Sequence, residues 1–348
     1  MVQIIGMPKT GAGVAYTLTD GDTFLSFTGD TVFSTTTNAL EVTGSDNTLT
    51  IGGHAYGSDN GIKIGDSIGT DVNNTVNILA GGVVGTNTDD AIEFRSSNSA
   101  INNAGTIAGV YGIYWVSAPA GTLTITNSGL IQADNTAILN GQDDALSLTN
   151  TGTIRSLSSR AFDGGTGVDT VVNKGLMVGN VELGGGNDSY DGRLGRVTMS
   201  SGIGTVYGED GDDTLTGGKL ADSLDGGANN DTLTGGLGVD LLTGGSGLDK
   251  FVFNSVAERG DIISDFSVVD DTIQVKAAAF GGLAKGTLSS AAFFANTTGQ
   301  AHDASDRFIY ETDVDKLWYD SNGNAAGGRV LLADLNDVNF TRFDIQVI

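Results

Sequence analysis

The chain has no cysteine and only 2 prolines in 348 residues, and aromatic residues make up 7% of it. Absent cysteine excludes a disulfide scaffold and a thiolate nucleophile, and it leaves the redox compartment open. Basic residues are scarce too: 17 Lys and Arg stand against 42 Asp and Glu, a formal net charge of −25. That balance argues against nucleic acid or anionic lipid as a partner. No apolar run approaches the ~18 residues of a membrane span. The opening MVQIIGMPKTGAG holds no apolar stretch of the length a cleaved secretory leader needs. Histidine occurs only at His54 and His302, and no H-E-x-x-H zinc-protease motif is formed. What the chain has in excess is glycine, 54 residues. Much glycine with few aromatics fits a thin solenoid, one side chain deep, better than a globular enzyme core.

Between Gly208 and Val252 one nine-residue unit is repeated five times, as GEDGDDTLT, GGKLADSLD, GGANNDTLT, GGLGVDLLT and GGSGLDKFV. Asp213, Asp222, Asp231, Asp240 and Asp249 stand nine apart, and Leu215, Leu224, Leu233, Leu242 and Phe251 follow each by two. A solvated Gly/Asp linker has no reason to keep an apolar residue in step with Asp. Glycine at the first two positions, and often the fourth, admits turns closed to residues with a Cβ. The last three residues form a short strand whose central apolar side chain points inward. Two units close one coil, so equivalent turns lie two units apart in sequence. In space they lie about 4.8 Å apart. Asp213, Asp231 and Asp249 then stack on one edge, and Asp222 and Asp240 on the other.

Carboxylates about 5 Å apart repel by roughly 3 kcal/mol per pair at an effective dielectric near 20. A hard divalent cation between the turns removes that cost. Calcium suits the position better than magnesium, because carbonyls in a flexible stack rarely give a strict octahedron. The block carries nine acidic and two basic residues, so it is expected to fold poorly without metal. Leu220 and Asn229 hold the fourth position in their units. Asn tolerates a left-handed turn and Leu does so poorly, so the Asp222–Asp240 edge should depart most from the pattern.

Glycines, Asp and apolar positions in this order resemble the RTX family of secreted bacterial proteins. The resemblance implies a calcium-loaded parallel β-roll, each ion held by the motif Asp of two stacked turns and main-chain carbonyls of the Gly-rich loops. Carried over by position, Asp213, Asp222, Asp231, Asp240 and Asp249 are the side-chain ligands. GGTGVDTVV at 164–172 and GGGNDSY at 184–190 add Asp169 and Asp188 as candidates, neither with a partner two units away in clean register. The family exports its members through a type I channel under an uncleaved C-terminal signal. Calcium-dependent folding suits that route, since the chain stays extended where free calcium is scarce.

A second period lies upstream. Asn103-Ala-Gly105, Asn127-Ser-Gly129, Asn150-Thr-Gly152 and Asn173-Lys-Gly175 recur at steps of 24, 23 and 23. Ile78, Ile101, Ile125, Leu148 and Val171 precede the glycine in the same rhythm, and Val84, Ile107, Ile131, Ile154 and Met177 follow it. Ile92, Ile113, Ile138 and Phe162 come next in each turn. Short apolar strands separated by Gly/Asn/Ser corners at this period predict a parallel β-helix, with the four asparagines stacked as a structural ladder. In Tyr111-Gly-Ile113-Tyr114-Trp115, alternation turns Tyr111 and Trp115 inward with Ile113 and leaves Tyr114 outside.

After Val252, DIISDF, DTIQV, RFIYE, KLWYD, RVLLADL and FDIQVI read as strands of a small sheet. Together with DKFVF, several of them resemble the C-terminal domain of type I-secreted RTX proteins, which implies a cap carrying the export signal. Asp320-Ser-Asn-Gly-Asn324 reads as a hairpin turn or a further calcium loop.

The expected architecture is all-β: a right-handed parallel β-helix continuing into a calcium-binding parallel β-roll and a small C-terminal β domain. Its segments are residues 1–35 as a cap or assembly segment, 36–190 as the helix, 191–252 as the roll and 253–348 as the C-terminal cap and secretion domain. The expected function is that of a secreted, calcium-dependent structural protein, a surface layer, filament or adhesin. It would self-associate into sheets or filaments, with cell-surface polysaccharide as a further partner. The rival is a polysaccharide lyase or C5-epimerase acting on uronates, using Asp89-Asp90 as a carboxylate pair with Arg95, Arg155 and Arg160. Adjacent residues on a strand face opposite ways, so that pair shares a site only at a corner. No Asp/Arg/Lys cluster recurs in step with the Asn-x-Gly corners to line a groove.

Overall fold

The computed structural model describes residues 3–5, 9–65, 70–116, 120–141, 143–336 and 339–348. Among them the only helical pieces are two 3₁₀ turns, Ser290–Ala292 and Arg342–Asp344; the elements are otherwise strands. The fold is all-β. It divides into two compact units, Met1–Gly186 with Gly195–Gly204, and Asn187–Leu194 with Thr205–Ile348.

The first unit is a parallel β-helix. One strand column aligns Ile101, Ile125, Leu148 and Val171. The second aligns Val84, Ile107, Ile131, Ile154 and Met177. The third aligns Ile92, Ile113, Ile138 and Phe162. All of these side chains are buried. One assignment differs: Val76, not Ile78, stands opposite Ile101, because the coil there is longer than those that follow it. Trp115 is buried, as alternation requires, but Tyr111 is only half-buried. It sits at the strand's first residue, where the corner turns its ring out to meet Asn135 at 2.9 Å.

The asparagine ladder is present. Nδ2 of Asn103 donates to Oδ1 of Asn127 at 2.8 Å, Asn127 to Asn150 at 2.8 Å, and Asn150 to Asn173 at 2.9 Å. The glycine two residues on is fixed by space: a Cβ on Gly129 would stand 2.1 Å from the carbonyl oxygen of Gly105, and one on Gly152 would stand 2.2 Å from that of Gly129. Backbone packs on backbone at this corner, which only Gly allows.

Coils already run through the residues expected as a cap. Gln3–Ile5, Lys9–Gly11 and Tyr16–Leu18 pair in parallel with Thr23–Ser26, Thr31–Ser34 and Leu40–Val42. These early coils lack the N-x-G corner and differ in length. Gln3 stands opposite Thr23, whereas Thr48 stands opposite Thr75, so no repeat is visible there.

The second unit is a parallel β-roll in which every second nonapeptide stacks: Leu215 lies opposite Leu233 and Leu233 opposite Phe251, while Leu224 lies opposite Leu242 on the other sheet. All five are buried. The roll does not stop at Val252. Thr272–Val275 pairs in parallel with Lys250–Phe253, and Ile345–Val347 with Thr272–Val275. Asp261–Ile263 extends the other sheet from Leu241–Ser246. The predicted C-terminal strands all form, but not as a separate sheet: three are roll strands, and Arg329–Asp334 pairs in parallel with Asp261–Ile263. Phe308–Glu311, Lys316–Asp320 and Arg329–Asp334 make the antiparallel part. Asp320 begins a hairpin turn, its carboxylate accepting the N–H of Asn322 at 3.0 Å.

Candidate metal centre

Each motif Asp stands at the corner where a roll strand begins, and the inward apolar residue two places on holds it there. Its backbone N–H donates to Oδ1 of the Asp one coil further along. On one edge these bonds join Asp188 to Asp213 (2.7 Å), Asp213 to Asp231 (2.8 Å), Asp231 to Asp249 (2.8 Å) and Asp249 to Asp271 (3.0 Å). On the other they join Asp222 to Asp240 (2.8 Å) and Asp240 to Asp261 (3.1 Å).

One oxygen of Asp213, Asp231, Asp249, Asp271, Asp240 and Asp261 is thus taken by the backbone. The second, Oδ2 of Asp213, Asp231, Asp240 and Asp249, is buried without a hydrogen-bond partner. Burying such a group unpaired is costly unless it is protonated or meets a cation. Burial is accordingly the main cause that pushes the Asp213 and Asp249 carboxyls up to about 6 and Asp231 up to about 8. For Asp231 the neighbouring charges of Asp213 and Asp249 add to the effect.

The first glycine of each unit makes room for this oxygen. A Cβ would stand 2.2 Å from Asp213 Oδ2 at Gly208, 2.3 Å from Asp231 Oδ2 at Gly226 and 2.6 Å from Asp249 Oδ2 at Gly244. None of these glycines has a positive φ, so the expectation that the first position needs glycine for its backbone turn is corrected: the requirement is space. Left-handed backbone falls on the second and fourth positions, as at Gly245 (φ 92°) and Gly247 (φ 151°), and Asn229 takes it at 78°. Leu220 does not adopt it. In that unit the loop takes another path, and the Gly218 N–H donates to Asp222 Oδ2 at 2.6 Å. Asp222 therefore has its Oδ2 engaged by its own loop and is only half-buried, which is the departure expected on its edge.

Asp188 joins the ladder through Asp213, although the coil between them is longer than the regular roll coil and no Asp stands two units away from it. Asp169, in the first unit, has the same local make: Oδ1 accepts the Leu146 N–H at 2.6 Å, and a Cβ on Gly164 would stand 2.2 Å from Oδ2. Sequence reading missed Asp261 and Asp271, which lie beyond the nonapeptides at steps of 21 and 22 residues. The signal that finds them is the Asp-x-apolar triplet, Asp261-Ile-Ile263 and Asp271-Thr-Ile273.

The first unit builds the same corner from neutral groups. The Asp22 N–H donates to Asn47 Oδ1 (2.8 Å), that of Asn47 to Asn74 Oδ1 (2.9 Å) and that of Asn74 to Ser99 Oγ (2.9 Å). Between Asp22 and Asp169, which follows Leu123 and Leu146 in the same column, no charge enters this stack.

Residues 200–227 and 219–251 each match the family model described as the RTX calcium-binding nonapeptide repeat (4 copies). This segment is an RTX β-roll. RTX nonapeptides are calcium-binding motifs, and the unpartnered oxygens beside the first glycines are the acidic, uncrowded acceptors such an ion takes. No curated protein matches the chain. No helix among the described residues is long and apolar enough to cross a membrane.

The residues of the rival enzymatic reading are spread around the first unit. Asp89 is exposed in a turn, whereas Asp90 is 4% exposed at the start of its strand, its carboxyl pushed up to about 7 by burial and then by Asp89. Arg95 is paired with Glu93, and Arg160 with Asp163 (2.9 Å) and Glu182 (2.6 Å). The expectation that the chain holds no G-x-S-x-G is corrected by Gly65-Asp66-Ser67-Ile68-Gly69, which has that spacing. A nucleophile elbow needs a strand running into a helix. No α-helix occurs among the described residues, and 66–69 lie outside them.

Proposed function

We propose that the chain is a secreted, calcium-dependent structural protein of the bacterial surface or extracellular matrix, in the class of surface layers, filaments and adhesins. The observation that carries the calcium part is the ladder Asp188–Asp213–Asp231–Asp249–Asp271, stacked on one edge with buried Oδ2 atoms that lack donors at Asp213, Asp231 and Asp249. Asp213, Asp231 and Asp249 would hold ions on this edge with Asp188, and Asp240 with Asp222 on the other; Asp169 is the remaining candidate. Bound calcium neutralises the stacked carboxylates and ties successive coils together. RTX repeat proteins are typically secreted, which supports the extracellular reading.

The structural role rests on how the chain is spent. Most of it is coils, and the arginines that an enzyme acting on uronates would need at one groove include Arg95 and Arg160, each already paired with a carboxylate of its own or an adjacent coil. Electron microscopy and sedimentation in millimolar calcium, then in chelator, test it. Calcium-dependent assemblies are expected; monomers under both conditions, or unsaturated product from alginate or pectate, would overturn it.

A further inference from the structure

In the first unit one outward sheet face carries no charge. Its strands run in parallel register from Thr23–Ser26 to Thr170–Asn173. Two columns of outward side chains cross it, one from Thr23 to Thr170 and one from Leu25 to Val172, and they hold only Thr, Ser, Asn, Ala, Leu and Val. Every residue in both columns is exposed or half-buried. The unit's other faces are charged: Glu41, Lys63 and Glu93 stand in register on one, and Arg155 and Arg196 lie on another.

We infer that this face is where two copies of the chain meet. The inference rests on the self-assembly proposed above and names its surface. A protein of net charge −25 repels its own kind over most approaches. Apposing this face buries no charge, so no ion is desolvated and no like pair is created. The columns also repeat at the strand spacing of about 4.8 Å, and a second copy is the partner that brings the same repeat. Threonine, stiff at χ1, holds its methyl and hydroxyl in fixed positions along such a column. Rows of Thr and Asn, with Asn102 bonded to Asn77 at 2.9 Å, can then interdigitate with their equivalents as identical side chains do in stacked sheets. A glycan would look for aromatic platforms or charged contacts, and neither column contains one.

The absence of cysteine makes the test clean. In calcium, single variants Thr50→Cys, Asn102→Cys and Thr149→Cys are oxidised beside Ser158→Cys, an exposed position on another sheet. At least one of the three is expected to give a covalent dimer as the main product, and Ser158→Cys none. In sedimentation, the wild-type mass rises with concentration, and Thr124→Asp/Thr149→Asp abolishes that rise with an unchanged melting curve. If the wild type associates but the double variant associates equally and no face cysteine cross-links, this surface is wrong while assembly stands. If the wild type stays monomeric at the highest concentration reached, both fail.

Discussion

Asp213 and Asp231 are bound backbone to side chain: the N–H of Asp213 donates to Oδ1 of Asp231 at 2.8 Å, and Oδ2 of Asp231 is left buried without a donor. This one relationship positions the carboxylate and creates the demand for a cation; burial raises its pKa even though the Asp213 N–H works against that rise. Replacing it with an amide should separate these effects. Asp231→Asn keeps the Oδ1 acceptor and removes the buried charge. Metal-free protein should melt higher than wild type, while calcium affinity falls by tenfold or more, about 1.4 kcal/mol. Calorimetric titration and paired melts check both signs.

The pH dependence of the metal-free roll follows from the same carboxyls. Asp213 and Asp249 are raised to about 6, Asp261 to about 7 and Asp231 to about 8 from an ordinary 3.8, by burial first. The folded state then binds more protons than the unfolded chain between about pH 4 and 8, so stability is fully present below that window and is lost as pH rises through it. Metal-free protein should melt higher at pH 5 than at pH 8. Saturating calcium should reverse the order, because protons now compete with the ion.

Leu220 keeps its loop out of the left-handed turn, and the Gly218 N–H occupies Asp222 Oδ2 instead. Leu220→Gly should release that oxygen and tighten the weakest calcium step by about tenfold. A titration indistinguishable from wild type would mean that the loop path has another cause.

In the first unit, Asn47 and Asn74 stand where the roll has Asp. This unit is expected to keep its fold in chelator. Asn127→Ala, which breaks a buried ladder at both ends, should lower its stability by about 2–4 kcal/mol. The loss should be equal with and without calcium, as two-phase melts will show.

Much of this was legible because the physics is local. An apolar residue two places after each Asp fixes both the strand and its inward face, so the nonapeptide coils, the Asn ladder and the second and third core columns follow from spacing alone. Spacing fails where coil length drifts. Ile78 gives way to Val76 where the coil is longer, residues 3–34 lack the N-x-G corner, and Asp188, Asp261 and Asp271 bond at steps of 25, 21 and 22. Insertions at a corner are tolerated because a loop can bulge outward without moving the strand it feeds. The role of the first glycine was also out of reach, since a collision between a Cβ and a carboxylate exists only in three dimensions.

Hydrogen–deuterium exchange across residues 208–252, with calcium and then with excess chelator, tests the dependence of the roll on its ions most directly. Strong protection of the Asp213, Asp231 and Asp249 amides is expected with the ion and exchange within seconds without it, while the Asn103–Asn173 coils stay protected throughout. Equal protection of 208–252 under both conditions would contradict a roll held together by calcium.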